Sequence, residues 1–190
     1  ADRSVSDDGS ERARVERVYR EYRSSGREAE RWADERPGNR CMLDERRSAT
    51  GRLLGGRPRP RMILELGCGA GTVLREIQDI LGSGTDVHGV DLLFDRLGSA
   101  AGAGRHPVQG DGQHLPYRDR QFDLVIVHTV FSSILRADAR RAVAEDLRRV
   151  LAVDGAILWY DMRFPSPNRS VRPLRSAQVR IAQMSAEAID

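Results

Sequence analysis

Met62-Ile63-Leu64-Glu65-Leu66-Gly67-Cys68-Gly69-Ala70-Gly71-Thr72 runs from a short apolar segment through three alternating glycines into a helical pattern. That order predicts strand, tight turn, helix, with glycines that let a ligand approach the backbone without Cβ interference. A dinucleotide fingerprint would need glycine at position 72, where Thr72 stands. With no pyrophosphate to cradle, an acid two positions before the first glycine is useful for accepting from an ammonium group. The loop therefore fits a zwitterionic amino-acid nucleoside better than a dinucleotide.

Outward from this loop, strands alternate with helices. Thr72 to Leu81 reads as helix, Asp86 to Val90 as strand and Leu92 to Ala101 as helix. Phe122-Asp-Leu-Val-Ile-Val-His128 is a continuous β-branched run, as a strand buried on both faces requires. Asp138 is placed to cap a helix through Leu151, and Val153-Asp154-Gly155 turns it into a strand over Ala156 to Tyr160. The alternation predicts an α/β, Rossmann-like doubly wound fold, a mostly parallel sheet with helices on both faces. Ligands then bind at the carboxyl ends of the strands.

Before this core, Val15, Val18, Tyr19 and Tyr22 recur at helical spacing between Glu11 and Trp32. Pro37-Gly38-Asn39 breaks the pattern, a second helix is expected from Cys41 to Leu54, and residues 55–60 form a linker. The expected organisation is a helical cover and linker over 1–60, a cofactor-binding core over 61–160, and an acceptor-side loop with a helix from Ser176 to Ser185 over 161–190.

All 31 basic residues among the 190 are arginine, against 28 acids, and the isoelectric point is near 9.3. The arginine bias fits a GC-rich bacterial coding sequence better than selection for phosphate contacts. Residues 1–61 carry a charge of +4, 62–160 carry −3 and 161–190 carry +2. An acidic main body argues against a nucleic-acid groove, while basic flanks suit an anionic or carrier-linked small acceptor. No apolar run approaches the ~20 residues of a membrane span, and Ala1 to Ser10 lacks a signal-peptide hydrophobic stretch, so a cytoplasmic location is expected. Nothing in the composition excludes a homodimer. Cys41 and Cys68 are too few for a disulfide scaffold, and His88, His106 and His114 share no metal-ligand spacing.

Two further elements complete the pattern. Gly89-Val90-Asp91-Leu92-Leu93 puts a carboxylate at the end of the second strand, where it can accept both hydroxyls of a ribose or cap the next helix. A nicotinamide enzyme would carry the same aspartate. It would also want a proton relay such as a tyrosine–lysine pair, and the chain has no lysine. The third element is Gly110-Asp111-Gly112-Gln113-His114-Leu115-Pro116-Tyr117, followed by Phe122-Asp123-Leu124-Val125.

Together these elements resemble the class I S-adenosylmethionine-dependent methyltransferases, over roughly residues 61–160. The resemblance implies S-adenosylmethionine as cofactor, leaving S-adenosylhomocysteine. It places Gly67, Cys68, Gly69 and Gly71 under the methionine part, with Glu65 as the acid at the motif's start. Asp91 with Leu92 would lie at the ribose, and Asp111, Gly112 and Gln113 at the adenine. His128, at the end of the fourth strand, would lie near the sulfonium. No metal is implied, since a cation-dependent branch would need acids where His128 and Thr129 stand.

Methyl transfer from a sulfonium is an in-line displacement, so positioning carries most of the catalysis. A base helps only if the acceptor loses its proton on attack, and His128 titrates in the right range. The expected enzyme is small, of bacterial natural-product or glycan biosynthesis, and O-methylates a hydroxyl. An N-methyltransferase of an amino sugar, amino acid or peptide is the near alternative. A non-catalytic S-adenosylmethionine-binding partner subunit, without an open acceptor pocket, is the other. Tyr160, Asp161 and Arg163 follow the fifth strand as candidate acceptor contacts, with residues 164–168 as a stiff wall. Asn39 and Arg40 are candidates for the cofactor carboxylate. Only 30 residues follow Tyr160, so the family's final antiparallel strands are expected to be missing.

Overall fold

The computed structural model describes residues 10–26, 37–82, 84–162, 168–174 and 180–182. Its sheet contains β1 (Met62–Leu66), β2 (Asp86–Asp91), β3 (Arg105–Gln109), β4 (Phe122–His128), β5 (Leu151–Tyr160) and β6 (Arg180–Ala182), in the order β3-β2-β1-β4-β5-β6. The first five are parallel, and β6 runs antiparallel to β5. The chain winds outward from β1 in one direction and from β4 in the other. That leaves a crevice between their carboxyl ends, where open α/β sheets bind ligands.

Both faces are covered. Ile63, Leu124, Ile126 and Leu158 pack with Val73, Leu74 and Ile77 of α3 (Thr72–Leu81) and with Leu54 of α2 (Pro37–Gly55). Leu64, Leu66, Val125 and Val127 pack on the other face against Val143, Leu147 and Val150 of α4 (Ala137–Val150). Strand periodicity of two then dictates that Glu65, His128 and Tyr160 share the face of Ile63, Ile126 and Leu158, beneath α2. The helix α1 (Glu11–Ser24) is capped by Ser10, whose hydroxyl accepts from the Ala13 N–H at 3.2 Å.

Several expectations change. Pro37 begins α2 rather than breaking the chain's helical run, since a first-turn proline loses no hydrogen bond. Asp138 lies inside the first turn of α4 and pairs with Arg136, which occupies the cap position. The segment after β2 forms only a 3-10 turn, Phe94–Ser99, instead of a helix over 92–101. The Asp91 carboxylate accepts the Leu93 N–H at 2.9 Å, and Leu93 stays extended before the turn begins.

Instead of turning at 153–155, β5 is continuous, with a register shift between Phe122↔Leu151 and Leu124↔Ala156. Residues 180–182, expected within a helix over 176–185, form β6 instead; one antiparallel strand is therefore present where both were expected missing. The free edge of β5 offers backbone groups that this pairing satisfies. The outer parts of that expected helix, Trp32 and Arg163 lie outside the described residues. No described helix is long and apolar enough to cross a membrane.

Candidate cofactor site

The carboxyl ends of β1, β2, β4 and β5 open into one cavity of about 640 Å³, roofed by α1 and α2. Its volume falls within the roughly 300–1,000 Å³ typical of small-molecule sites. Gly67, Cys68, Gly69 and Ala70 form its floor, whereas Gly71, expected beside the cofactor, turns toward Ala100 and does not line it. Gly67 and Gly71 take φ of 76° and 74°, in the left-handed region. A Cβ on Gly71 would meet the Ala100 Cα at 2.7 Å, and one on Gly67 would meet Val130 Cγ2 at 2.7 Å. No side chain fits either place without moving a neighbour.

Asp91 anchors this loop. Its Oδ2 accepts the Gly69 N–H at 2.8 Å and its Oδ1 accepts the Leu93 N–H at 2.9 Å, while the Gly67 and Cys68 amides donate to the Val90 carbonyl at 2.7 and 3.1 Å. Each carboxylate oxygen keeps lone-pair capacity for a hydroxyl. Asp91, Leu92, Asp111, Gly112 and Gln113 all line the cavity. The Asp111 Oδ1 accepts the Gln113 N–H at 2.9 Å, which fixes that turn. Cys68 lines the loop with its thiol pushed upward in pKa by burial and by the Glu65 and Asp91 carboxylates, so it is unreactive packing under Gly89.

Glu65 and His128 behave differently. Glu65 is 2% exposed, its Oε2 has no hydrogen-bond partner among the described residues, and burial pushes its pKa up to about 8. His128 is buried with both ring nitrogens unpartnered, and burial, with help from the Arg46 guanidinium, pulls it down to about 3. It is a neutral imidazole, edge-on to the Tyr160 ring at 5.8 Å. Thr129 follows with φ of 54°, rare for a β-branched residue, and its N–H donates to the Tyr160 carbonyl at 2.8 Å.

Of the three expected acceptor contacts, Tyr160 lines the cavity. Asp161 does not. Its oxygens accept from the Ser132 N–H at 3.2 Å, the Trp159 indole at 3.4 Å and the Met162 N–H at 2.8 Å, so it braces the loop after β4 against β5. Asn39 and Arg40 reach the cavity rim.

Sequence spacing missed Arg46, a buried cation on α2 that pairs with Glu76 of α3 at 2.6 Å. It also missed Arg96, which lies 5.0 Å from the centre of the Tyr19 ring. With the Glu11 carboxylate accepting the Leu135 N–H, that contact ties α1 down across the cavity. His88 and His106, unrelated by spacing, meet across β2 and β3 with ring centroids 4.8 Å apart. No group of three metal-ligating side chains occurs among the described residues.

A parallel α/β sheet with a glycine loop after β1, a carboxylate ending β2 and a cavity at the β1/β4 crevice defines a Rossmann-like nucleoside-cofactor domain. The comparisons narrow it. Residues 64–159, just over half the chain, match the family described as methyltransferase domain, and the chain belongs to that family.

The YcgJ protein of Bacillus subtilis is similar at 19% identity and TM-score 0.54, covering 65% of this chain and 53% of its own. The PH0226 protein of Pyrococcus horikoshii OT3 is similar at 25% identity and TM-score 0.54, covering 64% and 58%. A TehB-like S-adenosylmethionine-dependent methyltransferase from Corynebacterium glutamicum gives 22%, 0.51, 76% and 71%. The chain thus spans between half and three-fifths of the first two. No curated protein matches it.

S-adenosylmethionine is the cofactor that fits. The orphaned Glu65 oxygen suits its ammonium, the glycine floor admits its sulfonium side chain, and Asp91 suits its ribose.

Proposed function

We propose that the chain transfers the sulfonium methyl of S-adenosylmethionine to a hydroxyl of a small sugar or natural-product acceptor, as in bacterial biosynthesis of such compounds. The observation that carries this reading is His128, a neutral imidazole whose two nitrogens are free at the cavity floor beside Tyr160. When bound, the cofactor supplies an activated methyl group. Glu65 would hold its ammonium, Asp91 its ribose and Asp111 its adenine amino group, leaving the space toward Tyr160 for an acceptor. Residues of α1 and α2 line the cavity opposite the floor, and holding nucleophile, methyl and sulfur in line there would carry most of the catalysis. His128 would accept the hydroxyl proton as the nucleophile attacks. Arg40 and Arg47, exposed at the rim, favour an anionic or carrier-linked acceptor.

One observation favours N-methylation as the second reading. No carboxylate among the described residues supports His128, so the imidazolium would form in a poorly stabilising site. An amine, attacking as the free base and shedding its proton afterwards, asks less of that residue. A cavity that extends to Tyr160 and Leu43 is what a non-catalytic partner subunit would lack.

Transfer of isotope-labelled methyl from S-adenosylmethionine to a panel of hydroxyl and amine acceptors tests the proposal. The expected product is a methyl ether, and His128→Ala should abolish it while S-adenosylhomocysteine still binds. Labelled amines alone would move the assignment to the second reading, and no product with any acceptor would defeat both.

A further inference from the structure

The deep end of the cavity gathers charged side chains from separate elements with much of their hydrogen-bonding capacity unused. Glu65 comes from β1, Glu76 from α3, His128 from β4, Tyr160 from β5 and Arg46 from α2. All five line the one cavity, and the Arg46 guanidinium acts electrostatically on Glu65, His128 and Tyr160.

Its own satisfaction is partial. One Nη2 donates to Glu76 Oε2 at 2.6 Å, both side chains are only about a tenth exposed, and the buried Nε has no partner among the described residues. An arginine fork offers five N–H donors, and leaving a buried one unmade is costly. In the same cavity, Glu65 Oε2 is a buried acceptor with no donor among the described residues, and no hydrogen bond joins the two residues.

A buried acid oxygen without a donor and an arginine with unused N–H donors, lining one cavity without pairing to each other, are the complement of an α-amino-acid zwitterion. The acid takes the ammonium and the cation takes the carboxylate. The incoming end is neutral overall, so the ligand brings no net charge into the cluster.

We propose that Arg46 binds the α-carboxylate of the cofactor's amino-acid end, opposite Glu65, and so makes α2 a specificity-determining part of the site. This rests on the S-adenosylmethionine reading above. It assigns the carboxylate to Arg46, nearly buried on α2, rather than to Asn39 or Arg40 nearer the start of that helix. It also places half of the recognition of the amino-acid end outside residues 64–159, where the family match lies.

Calorimetry with two ligands separates this from a purely structural ion pair. S-adenosylhomocysteine carries the amino-acid end; 5′-methylthioadenosine has the same nucleoside and a thioether without it. Arg46→Met in the full chain should weaken S-adenosylhomocysteine about 10- to 100-fold, as loss of a charge-assisted bond does, and leave 5′-methylthioadenosine within about twofold. Arg46→Lys should fall between, and it carries the test if the Met variant does not fold. Glu76→Gln should keep the preference for S-adenosylhomocysteine.

Equal loss of both ligands in Arg46→Lys, or unchanged S-adenosylhomocysteine affinity in either Arg46 variant, overturns the assignment. Wild-type chain that binds neither ligand overturns the cofactor reading itself. Wild-type chain that binds 5′-methylthioadenosine as tightly as S-adenosylhomocysteine overturns recognition of the amino-acid end by Arg46 and Glu65 alike and leaves the nucleoside part of the reading standing.

Discussion

Asp91 and Glu65 are both buried carboxylates at the carboxyl ends of adjacent parallel strands, and the fold treats them in opposite ways. Asp91 is held by two backbone N–H donors that come from the protein itself, so its end of the cavity is complete before any ligand arrives. Glu65 has an oxygen with no donor, and so lacks the stabilisation of charge that Asp91 enjoys. The lesson is a division of labour. One end of the crevice is preorganised by main-chain geometry, and the other is left with polar groups that only a ligand completes. Preorganised groups lose little on binding, whereas orphaned ones supply selectivity because a ligand that fails to meet them leaves them buried and unpaired.

Removing the latch breaks the completed end most severely. Asp91→Ala forfeits two charge-assisted hydrogen bonds, and urea unfolding should show a loss of about 4 kcal/mol, with S-adenosylhomocysteine binding too weak to detect by calorimetry. Gly71→Ala attacks the same end through the backbone. A left-handed φ combined with Ala100 Cα at 2.7 Å should cost about 3 kcal/mol.

The incomplete end answers to pH instead. Glu65 holds its proton more tightly in the folded chain than in the unfolded one. Its contribution is therefore full below about pH 4.5 and declines as pH rises toward 8. Glu65→Gln should remove that decline and stabilise the ligand-free protein by on the order of 2 kcal/mol at pH 8, while weakening S-adenosylhomocysteine. His128 works with the opposite sign. Its folded pKa near 3 lies below the ordinary 6.5, so its contribution is present above pH 6.5 and lost as pH falls toward 3. His128→Phe should flatten that acid limb in a melting-temperature profile.

The smallest effect is expected away from both ends. Asp138→Asn breaks an exposed pair with Arg136, and the melting temperature should not move.

How much of this was legible depends on where each signal resides. The bounds of β1, α3 and β4 coincide with the apolar runs and glycines that announced them, because strands buried on two faces must be continuously apolar. Asp91, Asp111 and the glycines were legible for the same local reason: a turn after a strand constrains its own residue types. The helix expected after Asp91 was not: the chain stays extended at Leu93 and only a short 3-10 turn follows. Asp161 read as an acceptor contact because it follows β5. Only packing shows that the loop after β4 needs its oxygens.

The sequence alone determined the order of the elements, the glycine floor and the cofactor class, since each is encoded within a few neighbouring residues by backbone freedom and strand periodicity. The tertiary structure decided which side chains meet. Arg46 reaches Glu76 across 30 positions and lines one cavity with Glu65 and His128, and β6 closes on β5 from the far end of the chain. No spacing encodes such encounters, because burial and electrostatic reach follow distance in space, and only folding sets that distance.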